Sequence, residues 1–282
     1  MNYAIVTDST VYFTEEERQK YNIEVVSLNI TNDLDVTFKE QDITREFIIK
    51  EQDKGRSFKT SAPAPGVFLE TYQQLLDNGY EHVFVIGLSK ELSGTYQSSV
   101  LGRNMLDKPE QVTVFDTNQS AYGNEMICLE LYDLIKQGCA VEEITTTINQ
   151  YIKQSRLIFT CENLFSLVRG GRLSTTRAMI GTVLRMKPII NMVEGKLLLH
   201  KTERTYKNVF KVIVNEIKAS LEGYDKLTVY ITDTYSDKSS EALLKEINTH
   251  FPDAIIRKTN LLGPVMTIHV GNKGFGISWF TK

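Results

Sequence analysis

Three polar loops that follow apolar runs, a fourth loop stiffened by prolines, one histidine and one basic loop carry the chemistry open to this sequence. Ser93-Gly94-Thr95 follows the apolar run Val83 to Leu88 and stands where a helix begins, with Tyr96 to Leu106 able to continue it. A helix start offers free backbone N–H groups and the positive end of a dipole. Two hydroxyls around a glycine there suit a carboxylate or a phosphate, or simply make a serine N-cap. Thr60 and Ser61 sit in FKTSAPAPG, 58–66, which reads as a stiff loop because its prolines forbid a helix interior. Asp8-Ser9 and Asp116-Thr117 close two further apolar runs. His269 lies among β-formers and reads as a strand histidine, structural or ligand-binding. Arg169 and Arg172 flank two glycines in a loop that suits an anion or a solvated turn.

Other chemistries lack their patterns. Gly271, Gly274 and Gly276 are ordered G-x-x-G-x-G with no helix to follow, and no G-x-x-x-x-G-K-[ST] segment exists, so this chain alone is not expected to bind ATP or NAD. Four histidines and three cysteines form no recognised metal spacing. Ser93, Asp116 and His269 invite a hydrolase triad, but there is no G-x-S-x-G elbow. With a net charge of -3, nucleic acid is not expected as a partner. Cys128, Cys139 and Cys161 are too few and scattered for a disulfide framework and suit a reducing compartment. The opening MNYAIVTDST has no signal-peptide pattern, and no apolar run approaches the roughly 18 residues of a membrane span. A cytoplasmic protein without stable membrane insertion is expected.

The elements that must position these residues alternate. Strands are predicted at Tyr3 to Val6, Ile23 to Ile30, Val83 to Leu88 and Val112 to Phe115. Helices are predicted at Thr14 to Tyr21, Thr44 to Glu51, Val67 to Leu76, after Ser93, near Glu125 to Lys136 and at Val141 to Ser155. This rhythm predicts a parallel sheet covered on both faces, with ligands received outside the carboxyl ends of its strands, where the three polar loops would converge. Beyond residues 155–163 the pattern changes. A strand is predicted at Leu157 to Cys161, a short helix at Leu164 to Val168 and another at Thr176 to Leu184. A hairpin follows around Glu194-Gly195, then a helix at Tyr206 to Leu221, a strand at Leu227 to Thr232 and a helix at Ser239 to Phe251. The last stretch, GPVMTIHVGNKGFGISWF, reads as two strands joined by a glycine-rich turn. The expected fold is therefore α/β in two domains: a mostly parallel βα domain over residues 1–158 and a second α/β domain over 159–282.

Taken in order, VTDST at 6–10, KTSAPAPGVF at 59–68, LSGTYQSS at 92–99, FDTNQSAYG at 115–123, LVRGGRLS at 167–174, KPII at 187–190, ERT at 203–205 and GPVMTIHVG at 263–271 resemble the signature elements of the DegV family. These are fatty-acid-binding proteins that include the FakB subunit of bacterial fatty acid kinase. The resemblance implies a long apolar tunnel between the two domains that holds a fatty acid. It also implies that the Thr60 and Ser93 hydroxyls bind the carboxylate, with His269 and Arg172 close to it. The sequence departs from the family in having Gly271-Asn272-Lys273-Gly274 in place of Gly-Pro-Gly, and Thr117 after Asp116.

The physics of such a ligand agrees with the implied role. About fourteen buried methylenes at roughly 0.8 kcal/mol each gain on the order of 10 kcal/mol before entropy losses. The carboxylate loses several kcal/mol of hydration unless hydrogen-bonded. Ser61, the Gly94 and Thr95 amides and His269 add donors to those of Thr60 and Ser93. The chain is expected to be a carrier without a cofactor and not a complete enzyme. It would present a long-chain fatty acid to a separate ATP-dependent kinase that makes acyl phosphate for phospholipid synthesis. Arg204 is its candidate contact with that kinase. The rival readings are a small-molecule hydrolase using Ser93 and His269, and a lipid-sensing regulatory module.

Overall fold

The computed structural model describes residues 2–161, 164–173, 186–233 and 239–282. The helix expected over residues 176–184 lies outside them, as does position 174 of the basic-loop motif. β1 (Tyr3–Asp8) leads to α1 (Glu15–Tyr21), whose Thr14 and Glu17 form a reciprocal capping box. The predicted strand Ile23 to Ile30 is two strands, β2 (Ile23–Val26) and β3 (Asn29–Asn32). At the break, the Leu28 amide donates to Ser9 Oγ and its carbonyl accepts from the Glu40 amide, so this residue leaves one sheet for another. β4 (Thr37–Lys39), α2 (Arg45–Asp53) and β5 (Phe58–Ser61) follow. β5 corrects the loop expected over residues 58–66: it ends before Pro63 and pairs with β3, while Pro65 takes the first position of α3 (Pro65–Asp77).

β6 (His82–Gly87), α4 (Thr95–Asn104), β7 (Val112–Asp116), α5 (Tyr122–Lys136) and α6 (Val141–Gln154) complete the first half. Its sheet has the order β2-β1-β6-β7, and every pair in it is parallel. All residues of β1 and β6 are buried, because helices cover both faces. Ile5, Phe84 and Ile86 meet Met126, Ile127, Ile144 and Ile148 of α5 and α6. Ala4, Val6, Val83 and Val85 meet Phe68 and Tyr72 of α3.

β8 (Arg156–Cys161), α7 (Phe165–Arg169), the hairpin β9 (Lys187–Val193) and β10 (Lys196–Glu203), and α8 (Tyr206–Ser220) come next. β11 (Leu227–Asp233), α9 (Ser239–His250), β12 (Ile255–Lys258), α10 (Pro264–Val270) and β13 (Gly274–Thr281) end the chain. The second sheet has the order β10-β9-β8-β13-β11-β12, antiparallel except for β11 with β12. α8 and α9 bury one of its faces through Val209, Ile213, Ile217, Leu243 and Ile247. The other face presents Leu157, Phe159, Ile190, Met192 and Leu197 toward Tyr122, Leu167 and Leu262.

One prediction fails at a functional position. Pro264–Val270, expected as a strand, is the helix α10. Its first amides find buried acceptors far away in sequence: Val265 N donates to Glu40 Oε1 at 2.8 Å and Met266 N to Tyr12 Oη at 3.4 Å. Proline at the first turn and these partners override the β propensity of Val-Met-Thr-Ile-His-Val.

Candidate functional site

A cavity of about 750 Å³, including its mouth, lies where the carboxyl ends of the first sheet face the Leu157 and Phe159 side of the second. Of the residues named in the three polar loops only Ser93 lines it; the segments after β1 and β7 reach it through Thr10 and Ser120 instead, and Leu92 adjoins Ser93. The walls are otherwise aliphatic and aromatic, among them Leu28, Leu88, Leu157, Phe159, Leu197 and Leu262.

Thr60, Ser93, Arg172 and His269 share this cavity. Thr60 Oγ1 and His269 Nε2 are 2.8 Å apart, although 209 residues separate them in the chain. The hydroxyl of Ser93 lies 2.9 Å from that of Thr95. Arg172 is anchored by two carbonyls, its Nε donating to Leu92 O at 3.1 Å and its Nη1 to Gly170 O at 2.6 Å. Burial, followed by the nearby Arg172 charge, depresses the His269 pKa to about 4, so the ring is neutral at pH 7. The cavity lining therefore includes two hydroxyls, a neutral imidazole and a fixed cation.

Other candidate residues lie outside the wall. Ser61 is exposed, one residue beyond Thr60, where alternation on β5 turns the side chain away. Gly94 is the N-cap of α4 and makes no side-chain cap bond. Thr95 is buried, with its amide donating to Ser93 Oγ at 3.3 Å. Arg204 is exposed at the junction of β10 and α8. Asp8 is structural, accepting from the Leu88 amide and from the amide and hydroxyl of Thr10. Asp116 forms an ion pair with Lys90 at 3.1 Å, and His269 Nε2 is engaged with Thr60, so Ser93, His269 and Asp116 are not joined as a hydrogen-bonded triad.

Sequence reasoning missed Glu40. Its carboxyl accepts from Ser9 Oγ, Tyr12 Oη and the Val265 amide, joining the β1 loop to the first turn of α10, the helix that carries His269. Burial raises its pKa to about 7 against the pull of those three bonds. No local pattern marks this residue, since every partner is distant in the chain. Among the described residues, no cluster of three or more His, Cys, Asp or Glu side chains could hold a metal ion, and no helix is long and apolar enough to cross a membrane.

Comparison with known proteins covers the whole of this architecture. A DegV domain-containing protein of Staphylococcus aureus is 27% identical over 281 residues, spanning 99% of this chain and 97% of that one. The solved structure of a DegV family protein from Thermus thermophilus, described as fatty acid binding, superimposes with a TM-score of 0.90 at 26% identity over the full length of both chains. DegV from Bacillus subtilis, described as a fatty acid binding protein, gives 0.85 at 26% identity, again over both full lengths. The model for the DegV family, a family of uncharacterised proteins, matches residues 2–282, and the chain belongs to that family.

Proposed function

We propose that this protein binds a long-chain fatty acid in the cavity between its two sheets and presents the carboxylate to a separate ATP-dependent kinase. The observation that carries the proposal is the distribution of polarity: apolar walls along the cavity, with Thr60, Ser93, Arg172 and His269 gathered at it. The two relatives described as fatty acid binding, each 26% identical along its full length, support it. With His269 donating from Nε2 to Thr60 Oγ1, the Thr60 hydroxyl proton is left to donate to a carboxylate. Thr95 can likewise donate to Ser93 Oγ and free the Ser93 proton for the ligand. The Arg172 guanidinium supplies the opposite charge. The tail gives the affinity, and the polar end gives the orientation.

In the kinase step, a carboxylate oxygen forms the new bond to the γ-phosphorus of ATP while the bond to the ADP oxygen breaks. The nucleophile is already an anion and needs no general base. The carrier's part is to hold and orient it, and the acyl phosphate would serve phospholipid synthesis. Mass spectrometry of the purified protein, native and then denatured with solvent extraction, tests the binding: one fatty acid released per chain is expected. Protein that is empty and takes up no added fatty acid would overturn the reading.

Two variant predictions belong to this proposal. Ser93→Ala or Thr60→Val is expected to weaken fatty acid binding by roughly 1 to 3 kcal/mol in a lipid titration, since each removes a partner from a buried charge. Unchanged affinity in both would place the carboxylate elsewhere. Arg204→Ala is expected to lower capture of the kinase in a pull-down while fatty acid binding stays at the parent's level. Equal capture would remove Arg204 from the docking surface.

A further inference from the structure

The cavity is not uniformly apolar away from Thr60 and His269. Ser120 and Tyr122 also line it, at 5% and 4% exposure. No side-chain hydrogen bond joins either hydroxyl to a described residue, and neither is among the polar atoms sealed off inside the protein, so both open onto the cavity. Between them, Ala121 takes φ 48° and ψ −124°, a positive-φ conformation that an alanine adopts only where its surroundings hold it. Tyr122 then opens α5 with its phenol under β13, where an ideal Cβ on Gly276 would lie 1.9 Å from Tyr122 Oη. The absence of a side chain at 276 is what leaves room for the phenol tip. Burial raises the pKa of that phenol with no bond to offset it, so it stays a neutral donor.

A saturated chain that covers these hydroxyls takes them from water and supplies no acceptor, which is unfavourable. A chain that carries an oxygen beside them does. We infer that the cavity prefers acyl chains bearing a hydroxyl or keto oxygen part-way along, received by Tyr122 and Ser120. This rests on the fatty-acid reading above and narrows it to a ligand class.

The test is competition against a bound fluorescent fatty acid. The competitors are octadecanoate, its positional hydroxy isomers from carbon 8 to carbon 12, and cis-9-octadecenoate. One or two neighbouring hydroxy isomers are expected to bind about tenfold more tightly than octadecanoate, the worth of one buried hydrogen bond. Tyr122→Phe, which keeps the ring and loses the hydroxyl, is expected to abolish that preference and to bind octadecanoate more tightly than the parent does. The inference is overturned if no hydroxy isomer exceeds octadecanoate, if the preference survives in a Tyr122→Phe, Ser120→Ala double variant, or if only the octadecenoate is preferred. Failure of every competitor and of the fluorescent acid to bind would instead overturn the fatty-acid reading itself.

Discussion

Glu40→Ala is expected to lower the unfolding free energy by about 3 kcal/mol and to weaken fatty acid binding about tenfold. The carboxyl is the shared acceptor of three buried donors: the hydroxyls of Ser9 and Tyr12 and the amide of Val265. Each donor left without a partner costs about 1 to 3 kcal/mol, and relief from burying a carboxylate offsets part of the total. The binding loss follows because Val265 lies in the first turn of α10 and His269 near its end, so an unfastened first turn displaces the imidazole from Thr60. Chemical denaturation and a lipid titration on the same variant separate the two effects. A loss of stability with intact affinity would make Glu40 a purely structural tie.

The same carboxyl gives a pH dependence of known sign. Its folded pKa of about 7 lies above its ordinary value of 4.5, so its contribution to stability is present below 4.5 and is lost as pH rises through 7. Glu125, raised by burial to about 8, acts in the same direction. His269, depressed to about 4 from 6.5, acts oppositely: its contribution is present above 6.5 and lost as pH falls toward 4. Between about pH 6.5 and 8 the carboxyls therefore dominate. Stability should fall with rising pH in this window, and less steeply in Glu40→Gln, which has no carboxyl to ionise at that position.

The sequence makes the first sheet legible for a physical reason. β1 and β6 are buried on both faces and read as largely apolar runs, with polar residues at the end of β1 and just after β6 that fall at the sheet's carboxyl edge. The hairpin at Glu194-Gly195 is legible because both turn residues have positive φ, a geometry that two-residue turns favour. α10 is illegible, because its composition favours a strand and the acceptors that make it helical belong to Glu40 and Tyr12. Glu40 is hidden for the same reason. The meeting of Thr60 with His269 cannot be found by spacing at a separation of 209 residues, and only the ordered family motifs point to it. β5 was obscured by prolines that begin only after the strand has ended.

Gly274→Ala is expected to be among the most destabilising single-methyl additions in the chain, at about 3 to 5 kcal/mol. Gly274 has φ +147°, and a Cβ built there lies 2.1 Å from the Thr160 carbonyl oxygen and 3.1 Å from the Cys161 Cα. Both obstacles are backbone of the paired strand, since Gly274 faces Cys161 where β13 meets β8. A side chain could swing aside, but this contact is relieved only by parting the two strands. β8 and β13 are the central pair of the six-stranded sheet, and Phe159 and Gly276, opposite each other two register steps along, line the cavity. Strand separation should therefore weaken fatty acid binding together with stability. Gly271→Ala supplies the comparison: Gly271 has φ +83° with no atom within 4 Å of the built Cβ, so it carries the conformational strain without the overlap, at about 1 kcal/mol. Denaturant titrations of both variants isolate the overlap as their difference. Equal losses would mean that β8 and β13 accommodate the methyl and that the close approach at Gly274 does not constrain the sheet.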